Sequence, residues 1–199
     1  MLDRQVLMEG RHVRLEPLAQ AHLPGLMQAI DNGALWSNPY TFVPQPQELD
    51  RFLDQAEAGA AAGTELAFAI VDSASAQVAG STRYRHIAPH HGKLEIGYTF
   101  IARSFQRTYV NTEAKYLMLR FAFEEWQCER VEFQTDALNA QSRAAIERLG
   151  ARQEGLLRRH YRMRDGRMRD TAIYSIVRDE WDDVRTALED KLLAHEPAA

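Results

Sequence analysis

The chain has one cysteine, Cys128, in 199 residues. An internal disulfide is therefore excluded, and a reducing compartment, the cytoplasm, is the natural expectation. A lone thiol after the end of a helical stretch reads as a small core residue, not a nucleophile. No apolar run reaches the roughly 18 residues that a membrane-spanning helix needs. The opening MLDRQVLMEGRHVRL also lacks the long apolar centre of a signal peptide. Positive charge is not in excess: 24 Lys and Arg face 28 Asp and Glu, a formal net charge of −4. Nucleic acid is thus a poor main partner, because neutralising a phosphate backbone takes clustered positive charge. There is no Ser-His-Asp signature and no Walker loop. His86, His90 and His91 lack carboxylate or Cys partners at metal-ligand spacing, so they read as loop residues and no metal is expected.

What is present fits one domain over residues 1–199 that buries its own core, with the core of the fold at about 10–181. Arg11–Leu18 alternates and predicts the first strand. Ala19–Ile30 carries apolar residues at helical spacing, and a second helix runs from Gln47 to a Gly63 stop. LAFAIVD and VAGSTRYRHI flank the turn cluster DSASAQ and predict an antiparallel hairpin, with HHGKLEIGYTF adding a strand after it. Near the C-terminus, Asp165-Gly166 lies between two strand-like runs and signals another hairpin. A helix over 182–195 follows. The arginines of Arg152–Arg169 form the one basic cluster; they read as a solvated hairpin or as a contact for an anionic ligand.

The segment Leu94–Leu149 carries the most information. LEIGYTFIA (Leu94–Ala102) has strand character, RSFQRTYVN (Arg103–Asn111) is a polar break, and TEAKYLMLRFAFEEW (Thr112–Trp126) is amphipathic. A strand that runs into a helix N-terminus aims unpaired backbone N–H groups at one point, which attracts phosphate. Asn111 suits the N-cap of that helix. A strand over Val131–Thr135 and a helix opened by Asn139 complete the segment.

RVEFQTDALNAQSRAAIERLGA (Arg130–Ala151), together with RTYVNTEAK, resembles the GNAT N-acetyltransferase superfamily and its RimJ/RimL-like branch. The resemblance covers about residues 10–181. It implies an α+β fold: a central twisted mixed sheet of about seven strands, flanked by helices and splayed between the fourth and fifth strands. It also implies acetyl-CoA as cosubstrate and direct attack by a primary amine, either a protein N-terminus or a small amine. A homodimer is compatible with it. In the family, the pyrophosphate loop reads Gln/Arg-x-x-Gly-x-Gly/Ala. One register puts Gln106 just before the first glycine position, so Arg107 and Tyr109 stand where glycines are usual.

By the same resemblance, the coenzyme would be held by Tyr98, Phe100 and Ile101 of the fourth strand. The loop and helix start would add Gln106, Arg107, Thr108, Tyr109, Val110, Asn111 and Thr112, and Asn139 and Ser142 would complete the set. Asn139 would bond the pantetheine arm or simply cap its helix. Ile146 stands where many relatives have a tyrosine acid, so Ser142 becomes the candidate that protonates or solvates the thiolate. Tyr174 is a weaker alternative, better suited to the core. Glu95 is the leading base. Trp36, Tyr40, Glu95 and Asp136 are the expected acceptor contacts, with Glu132 near the same sheet end. Two rivals stay open: a non-catalytic acyl-CoA-binding protein with this fold, and an enzyme that uses an acidic acyl group such as succinyl-CoA.

Overall fold

A computed structural model describes residues 6–194. Its strands are β1 (Met8–Glu9), β2 (Val13–Pro17), β3 (Leu66–Asp72), β4 (Val78–Ala88), β5 (Lys93–Ile101), β6 (Arg130–Asp136), β7 (Arg152–Arg162) and β8 (Met168–Val177). The helices are α1 (Leu23–Asp31), α2 (Leu49–Ala62), α3 (Tyr109–Arg120), α4 (Ala140–Arg148) and α5 (Trp181–Leu193). The strands form one sheet in the order β1-β2-β3-β4-β5-β6-β8-β7. All seven expected strands are present, and the two-residue β1 makes an eighth at the edge. The expected C-terminal helix runs to Leu193; its last predicted residue, His195, lies outside the described residues. Among the described residues, no helix is long and apolar enough to cross a membrane.

Turn chemistry sets the hairpins. Asp72 Oδ2 accepts from the Ser75 N–H and hydroxyl, closing the β3–β4 turn, and Gly166 takes φ +84 between β7 and β8. Gly63 ends α2 at φ +72, the left-handed stop that glycine adopts without Cβ strain. Apolar residues pack on both sides of the sheet. Leu117, Met118, Phe123 and Trp181 belong to the larger cluster with Val131, Phe133 and Tyr174. Leu26, Ile30, Phe52 and Leu53 form a smaller one with Phe100. Cys128 is buried as expected, and burial pushes its thiol up to about 11, so it remains protonated at neutral pH.

The sheet opens in its middle. β5 and β6 are its one parallel pair, and their ladder holds only Lys93–Arg130, Leu94–Val131 and Glu95–Glu132. Past Glu95 the two strands separate, which is the splay expected between the fourth and fifth predicted strands. β5 is distorted at the same place. Ser81 pairs with Phe100 and Arg83 with Gly97, so Tyr98 and Thr99 together face Thr82. This bulge puts Tyr98 at φ +48, a left-handed conformation that costs a non-glycine residue strain.

Candidate active site

The splay leads into a cleft of about 1710 Å³, lined by β5, the start of α3, α4, the 33–43 loop and the ends of β7 and β8. Of the expected coenzyme residues, Tyr98, Phe100, Ile101, Gln106, Arg107 and Thr108 line it. Asn111, Thr112, Asn139 and Ser142 line it as well, as do Glu95 and Tyr40 of the expected catalytic and acceptor residues.

Four expected residues lie elsewhere. The Tyr109 hydroxyl donates to Asp72 Oδ1 at 2.6 Å, which turns the ring back toward β3; its phenol is pushed up to about 12 by that bond. Val110 is fully buried in the core beneath α3. Trp36 packs against the cluster around α1 and α2. Asp136 is completely buried, accepts from Arg167 Nη2 at 2.5 Å and from the Leu138 N–H at 2.9 Å, and so has no oxygen left facing an acceptor. Glu132 is likewise engaged, by Lys93 and Arg130.

The loop before α3 corrects one expectation and explains a departure. The helix starts at Tyr109, and its cap is Thr108, whose Oγ accepts from the Val110 N–H at 3.3 Å; Asn111 is already inside the first turn. Arg107, at the first glycine position, has φ +62. The backbone there keeps the conformation that a glycine would take, at a cost of about 1 kcal/mol in strain. Among the described residues, the N–H groups of Arg107, Thr108, Tyr109 and Asn111 have no hydrogen-bond partner. They form a cradle of free donors at the positive end of a helix.

Glu95 is 2 % exposed. Its Oε1 accepts from Arg85 Nη1 at 3.1 Å, while Oε2 has no hydrogen-bond partner and lies 3.7 Å from His86 Nε2. Burial raises the carboxyl above its ordinary value, against the opposing pull of Arg85 and His86. Arg85 is shared with Glu65, and its guanidinium lies 4.4 Å from the centre of the Tyr98 ring. Gly97 makes room for this arrangement, since a Cβ there would sit 2.6 Å from Glu95 Oε1.

Across the splay, Asn139 caps α4, with its Oδ1 accepting from the Ser142 N–H at 3.0 Å. Ser142 is half-buried on the cleft wall, and its hydroxyl has no partner among the described residues. Tyr174 is fully buried and tied to Arg143 and Glu147, as a core residue would be. Two buried cations stand on the cleft wall: Lys115 of α3, not singled out from the sequence, and Arg169 of β8, expected only as one member of the basic Arg152–Arg169 cluster. Lys115 donates to Thr82 Oγ1 at 2.9 Å and Thr99 Oγ1 at 2.5 Å, and burial alone pushes it down to about 7. Only topology places a helix lysine under a strand bulge. Its motif position, one residue after Glu113-Ala114, was the available signal.

An open mixed sheet that splays at its parallel pair, faced by a helix N-terminus with free amides, defines an acyl-CoA transferase fold. The profile of the Acetyltransferase (GNAT) domain matches residues 12–152. The chain belongs to the GNAT acetyltransferase family. It is 36% identical over 90 residues to the Bacillus subtilis (strain 168) protein named "Putative ribosomal N-acetyltransferase YdaF". That match covers 45% of this chain and 48% of the relative, about half of each. A GCN5-related N-acetyltransferase from Brucella melitensis superposes with a TM-score of 0.84 at 33% identity, covering 94% of this chain and 86% of that one. Mycobacterium smegmatis RimJ, solved in complex with a CoA disulfide, shares the fold at 21% identity, with a TM-score of 0.78 over 90% of this chain and 88% of its own. At 21% identity that likeness shows the fold.

Proposed function

We propose that this chain transfers an acetyl group from acetyl-CoA to a primary amine. The Bacillus relative's name suggests a protein N-terminus as the acceptor, and a small amine is the other class. The observation that carries the proposal is the alignment of three features: the splay beyond Glu95, the left-handed bulge at Tyr98, and the free amides before α3. The fit is chemical as well as geometric. Strand edges that separate leave backbone donors and acceptors for a pantetheine arm, and the amide cradle suits a pyrophosphate. Arg107 adds a charge-assisted contact from the rim.

Acetyl-CoA supplies an activated thioester. The protein's part is to position it and to move protons. The backbone N–H groups at the Tyr98–Phe100 bulge donate toward the carbonyl oxygen, where negative charge develops as the amine adds. Glu95, directly or through water, takes the proton that the nitrogen loses. The Ser142 hydroxyl donates to the departing sulfur, standing in for the tyrosine that Ile146 replaces. No covalent enzyme intermediate is required.

Calorimetric titration tests the coenzyme half of this proposal. Acetyl-CoA is expected to bind the wild-type protein in the micromolar range. Arg107→Gly keeps every amide while removing one charge and the left-handed strain, so its affinity is expected to stay within about tenfold of wild type. A loss much beyond that would shift the binding role from the backbone to the side chain. Absence of binding at millimolar acetyl-CoA would remove the proposal.

A further inference from the structure

Arg169 lies on β8 opposite Tyr161 of β7 and is 7 % exposed. Among the described residues its guanidinium makes no hydrogen bond and no ion pair, and its Nε is buried without a partner. The two rings beside it, Tyr161 at 5.4 Å and Phe42 at 6.0 Å, accept its charge only through their faces. The carboxylate best placed to neutralise it, Asp136, is already taken by Arg167 at 2.5 Å. A mostly buried guanidinium whose Nε has no acceptor is costly, so such groups are normally paired.

The register shows what it faces. Glu95 pairs with Glu132, Asp136 pairs with Thr171, and side chains alternate along each strand, so Glu95 and Arg169 project from the same face of the sheet. Both line the same cleft. Glu95 Oε2 and Arg169 Nε are thus two buried, unpartnered polar atoms of opposite character on one wall.

We propose that Arg169 receives a carboxylate of the bound substrate, so that the acceptor carries an acid group as well as the amine that Glu95 deprotonates. This rests on the acetyltransferase reading and narrows its substrate class. The acceptor is the favoured source because Arg169 shares the face of Glu95, whereas Lys115 and α3 lie beneath the bulge. A carboxylate on the acyl group, as in succinyl-CoA, is the other source of the same chemistry.

The test compares matched primary amines that differ only in carboxylate against carboxamide, from a single amino acid to a short peptide with an acidic residue near its free N-terminus. A parallel arm compares succinyl-CoA with acetyl-CoA on a neutral amine. With acetyl-CoA, the wild-type protein is expected to favour carboxylate acceptors by about tenfold or more in kcat/KM. In Arg169→Gln that ratio should collapse toward one, and Arg169→Lys should restore part of it. A preference confined to the succinyl arm would assign the same guanidinium contact to the acyl group. In the wild type, equal rates for carboxylate and carboxamide acceptors, together with no preference for succinyl-CoA over acetyl-CoA, would overturn the proposal without needing any variant. Calorimetry of the carboxylate acceptors on CoA-loaded protein separates the two readings. Arg169-dependent binding without turnover would sink the acetyltransferase reading and leave the anion site standing. Binding indifferent to Arg169 would remove the site.

Discussion

Glu95→Gln is expected to lower kcat/KM at neutral pH by about 10²–10³-fold, the span that a positioned general base contributes. The amide keeps the volume and the contact with Arg85 but cannot take a proton. Burial raises the Glu95 carboxyl above its ordinary value, so the wild-type rate should rise with pH through that raised value as the base ionises. In the variant that rising limb should be gone. Stability is expected to move the other way. A carboxyl raised by folding favours its protonated form, so the ionised group opposes folding once the pH exceeds its ordinary value. Removing that charge should leave Tm unchanged or higher. A purely structural ion pair with Arg85 predicts the reverse pattern, with a lower Tm and an intact pH profile. Activity across pH and thermal unfolding of the same two proteins decide between them.

Lys115→Met is expected to stabilise the protein strongly, and in a pH-dependent way. Lys115 is buried against two threonine hydroxyls, makes no ion pair among the described residues, and is pushed down to about 7 by burial. Its charge therefore opposes folding. Below pH 7 the amine is protonated in the folded and the unfolded chain, and the full cost of burying it is present. As pH rises from 7 toward its ordinary 10.5, the unfolded chain holds more protons than the folded one, and wild-type stability climbs. At about 1.4 kcal/mol per pH unit, less the two lost hydrogen bonds at about 1 kcal/mol each, methionine should gain roughly 2–4 kcal/mol at pH 6. By about pH 10 the charge cost has mostly gone and the two lost hydrogen bonds remain, so the gain should turn into a loss of about 1–2 kcal/mol. Denaturant unfolding at both pH values measures it, and a difference that is independent of pH would contradict the account. The charge is kept beneath Thr99, next to the strained Tyr98, so stability is given up at the proposed reaction point.

Most of the fold could be read from local patterns. Gly63, DSASAQ and Asp165-Gly166 each mark a chain reversal by turn chemistry alone, and alternation or helical spacing marks the elements between them. The start of α3 was harder. Asn111 and Thr108 are both good caps by residue type, and the choice depends on Tyr109 reaching Asp72, a contact 37 residues away in sequence. Asn139 was easier, because an Asn followed three residues later by a half-buried Ser closes its own local bond. The acceptor side was largely hidden for the same reason as α3. Asp136 and Arg169 are ordinary charged residues in sequence, and only the β6–β8 register decides that Arg167 engages the first and leaves the second unpaired. Arg107 stands at a usual glycine position of the coenzyme loop, and the sequence shows only its side chain. The backbone beneath it, at φ +62, is the part that carries the amides.

The cleft is proposed to acetylate a primary amine. The most direct test follows CoA thiol release from acetyl-CoA as primary amines are added, with the mass of the acceptor read at the end. Thiol release is expected to depend on the amine and to be matched mole for mole by acceptor carrying one acetyl group. Thiol release that ignores the amine, or none across protein N-termini, amino acids and small amines, would contradict the proposal.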